Sequence, residues 1–291
     1  MSDGYLGCTR PARCSVLITG ASGGFGKSCA EHLAGLGHRV YGTSRRAEFP
    51  DSSNSSFDNS SSPDSSPIML PMDVCDDDSV RSAVDFVLKR EGRIDVVVNN
   101  AGVGLAGAVE DTSVEEAKAL FETNFFGVLR VCRAVLPTLR EQGSGRIVNV
   151  SSLAGLVTIP FQGFYSASKY ALESMTDAMR MELRPYGVHV TLIEPGDFKT
   201  GFTQSRIFAA ASGEGSPYRE SCERAVAVME HDEQSGADPQ QLAELLAKII
   251  AQPSPGIRYP VGGLSQRLGV AARRVLPASI FEKIIRAIYK V

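Results

Sequence analysis

Thr19-Gly20-Ala21-Ser22-Gly23-Gly24-Phe25-Gly26 follows directly on the apolar run Cys14-Ser-Val-Leu-Ile18 and precedes a helical pattern over residues 26–36. Glycine lets a chain turn tightly and lets backbone approach a phosphate, while a helix N-terminus offers unpaired N–H groups and a positive dipole end. A strand, a glycine-rich turn and a helix in that order read as a phosphate-binding element at the start of a βαβ unit. The spacing is TGxxxGxG rather than GxGxxG, and a glycine-rich turn alone can bind nothing, so the case rests on what surrounds it.

Outward from this turn, short β-branched runs alternate with helical patterns as far as about residue 195. His38-Arg-Val-Tyr-Gly42, Ile94-Asp-Val-Val-Val98, Arg146-Ile-Val-Asn-Val150 and Val188-His-Val-Thr-Leu-Ile193 read as further strands. The longer stretches Val114–Leu139 and Ala167–Leu183 carry apolar residues at helical spacing. Strands that are continuously apolar and separated by helices indicate a parallel sheet covered on both faces, an α/β fold. Asp51–Pro67 (DSSNSSFDNSSSPDSSP) interrupts the rhythm where a helix would join the second and third strands, and its composition predicts a disordered surface insertion. Asp238-Pro239 opens a helix to about Ile250.

The chain has 291 residues, 43% hydrophobic and 22% charged, with a formal charge of -3. That is a globular balance, and it gives no basic footprint for nucleic acid. The six cysteines are scattered without a C-x-x-C pair, which reads as reduced thiols in a cytoplasmic protein. No apolar run in residues 1–13 resembles a signal peptide, and none elsewhere reaches membrane-spanning length. His32, His38, His189 and His231 are too dispersed to suggest a metal site.

The second strand runs out in Tyr41-Gly42-Thr43-Ser44-Arg45-Arg46. A carboxylate there would hold ribose hydroxyls; instead a hydroxyl and two guanidiniums stand ready for a 2′-phosphate, which indicates NADP(H). A solvated pair of loop arginines is the alternative reading. Tyr165-Ser-Ala-Ser-Lys169 puts a phenol and an ammonium on one helical face. Bringing a phenol from ~10 to near neutrality corresponds to about 4 kcal/mol, within reach of an adjacent ammonium together with a cationic nicotinamide. Any helix can carry a Tyr/Lys pair, but Ser151-Ser152 and Asn99-Asn100-Ala101-Gly102 also end strands, where open α/β sheets bind ligands. Asp73 follows the strand after the insertion and suits an adenine amino group.

TGASGGFG, NNAG, the lone Asn124, the VSS strand end, YSASK and Pro195-Gly196 fall together in the order and spacing of the short-chain dehydrogenase/reductase family, which the chain resembles from about Cys14 to Thr200. Around TSRR, EPGDFKT and RYPVG it is similar to the branch of 17β-hydroxysteroid and retinol dehydrogenases. The resemblance implies a Rossmann-type doubly wound sheet in one domain over residues 14–263, with a substrate lid at 201–237 and an extension at 264–291. It implies Tyr165 as general acid/base, Lys169 as holder of the ribose, Ser152 as donor to the substrate oxygen, Ser151 as structural, and Asn124 as support for a relay water. Cofactor contacts are implied for Thr19, Gly20, Ser22, Gly24, Phe25 and Gly26 at the pyrophosphate and for Ser44 and Arg45 at the 2′-phosphate. Asp73, at the adenine, and Val74, Asn100, Ala101, Gly102, Tyr165 and Lys169 would also contact the cofactor. Pro195, Gly196, Phe198 and Thr200 would lie at the nicotinamide. A homodimer or homotetramer, packed through Val114–Leu139 and Ala167–Leu183, is implied too.

Phe202, Ile207, Phe208 and Tyr218, with Leu153, Leu156 and Phe161, would suit a lipophilic ketone or alcohol, or would simply pack the lid. The basic, amphipathic residues 264–291 can lie on a membrane surface, cap the cleft or pack on a neighbouring subunit. Two other functions fit the scaffold: reduction of an activated double bond, and an NADP(H)-binding sensor without turnover. The intact Ser152, Tyr165 and Lys169 argue against the sensor.

Overall fold

The computed structural model describes residues 13–50 and 66–291. The N-terminal tail as far as residue 12, and all but the last two residues of the serine-rich stretch 51–67, therefore lie outside the described residues. The chain opens with β1 (Ser15–Ile18), α1 (Gly24–Gly35), β2 (Arg39–Ser44) and β3 (Ile68–Pro71). α2 (Asp77–Glu91), β4 (Val96–Asn99), a short β5 (Leu105–Ala106) and α3 (Val114–Phe121) follow. Then come α4 (Gly127–Gln142), β6 (Gly145–Val150), α5 (Gly163–Leu183) and β7 (Val188–Pro195). The last third holds α6 (Phe202–Ser205), β8 (Ile207–Phe208), α7 (Arg219–Gln234), α8 (Gln240–Ala251), β9 (Arg258–Val261), α9 (Leu264–Val275) and α10 (Ala278–Tyr289).

Seven strands form one parallel sheet in the order β3-β2-β1-β4-β6-β7-β9. The chain works outward from β1 to β3, then returns to place β4 on the other side of β1. This reversal leaves a crevice above the carboxyl ends of β1 and β4. Alternate residues of each strand feed two cores. Leu17, Tyr41, Leu70, Val97 and Ile147 pack with residues of α2, α4 and α5. Val16, Ile18, Val40, Val98 and Val148 pack with residues of α1 and α8. Both faces are thus covered, which is why the strands read as continuous apolar runs. The expected doubly wound α/β architecture is the one observed.

Local signals fix the elements. Asp76 accepts from Ser79 N at 2.6 Å to start α2, and Ser113 and Glu116 form a reciprocal capping box before α3. Asp238 Oδ1 takes the N–H of Gln240, so the expected helix at Asp238-Pro239 begins there. Pro277 separates α9 from α10. One expectation is corrected. Val114–Leu139 is not a continuous α-helix, because Glu122–Phe126 widens into a π-helical turn between α3 and α4. The cause lies in Asn124, whose buried amide is drawn onto the backbone of Val103.

Candidate active site

The turn after β1 is held shut from behind. Thr19 Oγ1 accepts from the N–H groups of Asn100 and Ala101 at 2.9 and 3.0 Å. Asn100 Nδ2 donates to the carbonyls of Thr19 and Gly20 at 2.9 and 3.1 Å. A Cβ on Gly26 would fall against the Gly20 carbonyl oxygen and 2.6 Å from Asn100 Nδ2, so the helix can approach the turn only with glycine there. On the open side the opposite holds: Gly23 precedes α1 without a side-chain cap, and a Cβ there would meet nothing within 4 Å. Uncapped N–H groups facing open space fit a pyrophosphate. Ser22 is exposed at this mouth, Thr200 lies over Gly24, and Phe25 packs edge-on against Phe198 at 5.0 Å between ring centres.

At the end of β2, Ser44 Oγ accepts from Arg46 N at 3.2 Å, and Arg45 and Arg46 are exposed. Neither guanidinium has an ion-pair partner among the described residues, which leaves both able to meet a phosphate. Asp73 Oδ1 accepts from Cys75 N at 2.9 Å, and Val74 packs against Gly127.

Above β4, β6 and β7 the reactive side chains converge. Ser152 caps a short turn at Leu153–Gly155, its Oγ accepting from Ala154 N at 3.1 Å and donating to the Pro195 carbonyl at 3.4 Å. Tyr165 stands in the first turn of α5, buried, with its hydroxyl in a hydrogen bond with Ser152. One turn on, Lys169 Nζ donates to the Val150 carbonyl at 3.0 Å and sits 5.9 Å from the Tyr165 ring centre. Asn124 Nδ2 donates to Val103 O at 3.0 Å and Ser168 Oγ at 3.2 Å, while its Oδ1 accepts from Val103 N at 2.9 Å. Ser168 Oγ in turn donates to the Tyr165 carbonyl at 2.7 Å. Asn124 thus ties the loop after β4 to the helix that carries tyrosine and lysine.

The electrostatics differ from the sequence expectation. Burial pushes the Tyr165 phenol up to about 12, with the Ser152 hydrogen bond working against it. Burial also pushes Lys169 down to about 8, opposed by Glu173 one turn further along. The protein by itself therefore favours the neutral phenol, because desolvation outweighs the Ser152 hydrogen bond and the Arg206 charge. A neutral phenol of this kind is a proton donor rather than a base.

Several groups around Tyr165 were not foreseen. Phe202 lies on it at 5.7 Å between ring centres. Arg206, its side chain fully buried, stacks on Phe202 at 5.8 Å and ion-pairs with Glu233, which also accepts from Thr203. Asp197, pushed up to about 6 by burial and then by Asp232 and Glu233, accepts from Gln266. Asp197, Glu233 and Arg206 all act on the Tyr165 hydroxyl. Behind Lys169, Arg258 Nε meets Glu173 at 3.0 Å and Glu194 at 3.3 Å, and Asp177 takes Nη2 at 2.7 Å. Tyr218, expected in the substrate wall, is instead on the surface with its hydroxyl donated to Glu110 at 2.6 Å. Ile207 and Phe208 are half exposed, whereas Phe202 reaches the tyrosine.

Comparison with known proteins agrees with this geometry. Residues 15–209 match the family described as short chain dehydrogenase. The chain is 40% identical over 276 residues to a 3-ketodihydrosphingosine reductase of Bacteroides thetaiotaomicron, covering 95% of this chain and 98% of that protein. It is 32% identical over 255 residues to human 17-beta-hydroxysteroid dehydrogenase type 1, covering 85% of this chain and 77% of that one. A short chain dehydrogenase/reductase of Burkholderia phymatum, solved in complex with NAD, superposes with a TM-score of 0.75 at 26% identity, over 91% of this chain and 95% of that one. The chain belongs to the short-chain dehydrogenase/reductase family of oxidoreductases, among relatives that include the hydroxysteroid dehydrogenases.

Proposed function

We propose that this protein reduces the ketone of a long-chain 2-amino-ketone, of the 3-ketodihydrosphingosine type, with NADPH. The observation that carries the reading is the setting of the Tyr165 hydroxyl, which is hydrogen-bonded to Ser152, flanked by Phe202 and acted on by the carboxylates of Asp197 and Glu233. Tyr165 delivers its proton to the ketone oxygen, and Ser152 orients that oxygen by a hydrogen bond. A bound nicotinamide would supply the hydride for the carbonyl carbon, giving a secondary alcohol. Lys169, fixed on the Val150 carbonyl, would hold the ribose, and Ser44 with Arg45 would hold the 2′-phosphate.

The 40% identity to a 3-ketodihydrosphingosine reductase over nearly the whole chain supports this substrate class. So does the local charge. A ketone with an ammonium on the adjacent carbon brings a cation to a cluster in which Asp197, Asp232 and Glu233 outnumber Arg206, whereas a steroid ketone brings none. The apolar Phe202 and Leu153 suit the alkyl chain. The test is NADPH oxidation with 3-ketodihydrosphingosine, its N-acetyl derivative and a 17-ketosteroid. Acetylation removes the charge, and losing a charged hydrogen bond of about 1.5–3 kcal/mol lowers kcat/KM roughly ten- to a hundredfold. Preference for the steroid, or equal use of the free amine and its N-acetyl amide, overturns the substrate assignment; equal use of NADH overturns the cofactor assignment.

A further inference from the structure

The two C-terminal helices each show an apolar stripe to the outside. On α9, Leu264, Leu268 and Val275 are 70%, 59% and 80% exposed, one above another at helical spacing. On α10, Ile280, Ile284 and Ile288 recur every fourth residue and are 40–48% exposed. These are not the residues that fasten α10 to the body. That role falls to the adjoining stripe, where Phe281 is buried and Tyr289 packs with Cys222, Val226 and Met229, residues of α7. Arg273 stacks on Phe281 at 5.7 Å and fastens α9 to α10. A helix at a protein surface buries one apolar stripe and shows polar residues elsewhere. Here α10 has a stripe in the body and a second one facing out. Clustered apolar surface of this kind marks a binding face.

The charges say what it binds. Residues 264–291 hold Arg267, Arg273, Arg274, Lys283, Arg286 and Lys290 against the single acid Glu282, in a chain whose formal charge is -3. All six basic side chains are exposed. A second copy of this chain docked on the same face would bring like charges together, which disfavours a two-fold contact. An anionic lipid surface complements both features, because basic heads reach phosphates while apolar side chains enter the acyl boundary. Among the described residues no helix is long and apolar enough to cross a membrane, so such contact is in the plane of the interface.

We propose that α9 and α10 dock this protein on an anionic lipid surface through their outward faces. Arg273 and Arg286 also border a groove of about 290 Å³ whose far wall includes Thr158 and Pro160, in the loop that joins Ser152 to Tyr165. Docking through these helices thus brings the lipid phase beside the loop between two reactive residues. The proposal rests on the helices alone and stands whether or not the substrate assignment does.

The experiment is vesicle flotation of the full chain, using phosphatidylcholine vesicles with and without phosphatidylglycerol. Recovery is expected to be about tenfold or more higher on the anionic vesicles and to fall as salt is raised. The double variant Leu268→Asp/Ile284→Asp removes recovery, and Arg267→Glu/Lys283→Glu removes the preference for anionic lipid. Melting temperature and NADPH affinity stay unchanged in both, because all four side chains are exposed and, among the described residues, make no hydrogen bond or ion pair to the body of the protein. Equal recovery of wild type and the apolar double variant overturns the proposal. So does equal recovery on neutral and anionic vesicles. Self-association in light scattering that the same substitutions abolish, with no flotation, reassigns the face to a second copy.

Discussion

Gly26→Ala is the sharpest probe of the glycine-rich turn after β1, because its effect can be worked from the packing. The new methyl would lie 2.6 Å from Asn100 Nδ2 and 2.9 Å from the carbonyl carbon of Gly20, against that residue's oxygen. Backbone and a doubly bonded amide surround it, so neither neighbour can swing away as a flexible side-chain end would. Overpacking costs typically about 1–3 kcal/mol, and the rigid surroundings put this site near the upper end. At about 2–4 °C per kcal/mol for a domain of moderate size, the melting temperature should fall by roughly 6 °C or more. If the turn instead opens to relieve the clash, the same ~3 kcal/mol appears as about a hundredfold loss of NADPH affinity. Gly23→Ala is the control: its Cβ meets nothing, so stability should change by less than about 1 kcal/mol, yet affinity should drop because the methyl enters the open side of the turn. Differential scanning fluorimetry and NADPH fluorescence titration read both quantities. A Gly26→Ala protein with wild-type melting and wild-type affinity would refute the reasoning.

Tyr165→Phe should lower kcat about a hundred- to ten-thousandfold while NADPH affinity stays within about twofold, since only the proton donor is removed; retained turnover would reassign the proton donor. Asn124→Ala leaves the N–H and carbonyl of Val103 without their side-chain partner, at about 1–3 kcal/mol for each buried group. Thermal melting checks this, and an unchanged midpoint would show that water replaces the amide. Glu194 is raised to about 8, by burial first and then by the charge of Glu173. The folded chain therefore holds a proton that the unfolded chain has released, and stability falls as pH rises from the ordinary carboxylate range to about 8. Glu194→Gln should flatten that fall in urea titrations across the window, and a parallel pH profile in the variant would exclude the assignment.

The sheet, and the segments that bring Ser152, Tyr165 and Lys169 together, were legible because their signals are local. Val96–Asn99 and Val188–Pro195 announce themselves by composition, and TGASGGFG and YSASK each span a turn or two of chain. What escaped is non-local. Arg206 and Glu233 are 27 residues apart, and nothing in either neighbourhood says that they will be buried together beside Tyr165. Glu173, Glu194 and Arg258 come from α5, β7 and β9 and meet only because β7 and β9 pair. The tyrosine shows a different limit. Spacing put the ammonium on the correct face, but only the fold reveals the depth of burial that decides the pKa. Tyr218 had the apolar character of a pocket residue and was claimed by Glu110 across 108 positions.

The π-helical turn at Glu122–Phe126 amounts to a phase change in a screw. Leu120, Asn124, Val128, Val131, Val135 and Leu139 step inward over five turns in 19 residues, where ordinary winding takes about 18. The surplus residue is absorbed in one place, around Asn124. Deleting any single position between Leu120 and Val128 would restore regular winding. It would also rotate one flank about 100° relative to the other, carrying either Leu120 or the inward row of α4 out of register. Length in this segment is therefore under tighter constraint than residue type: substitutions along the outer face of α4 are tolerated, but a one-residue shortening breaks the alignment between the core behind the sheet and the amide in front of it.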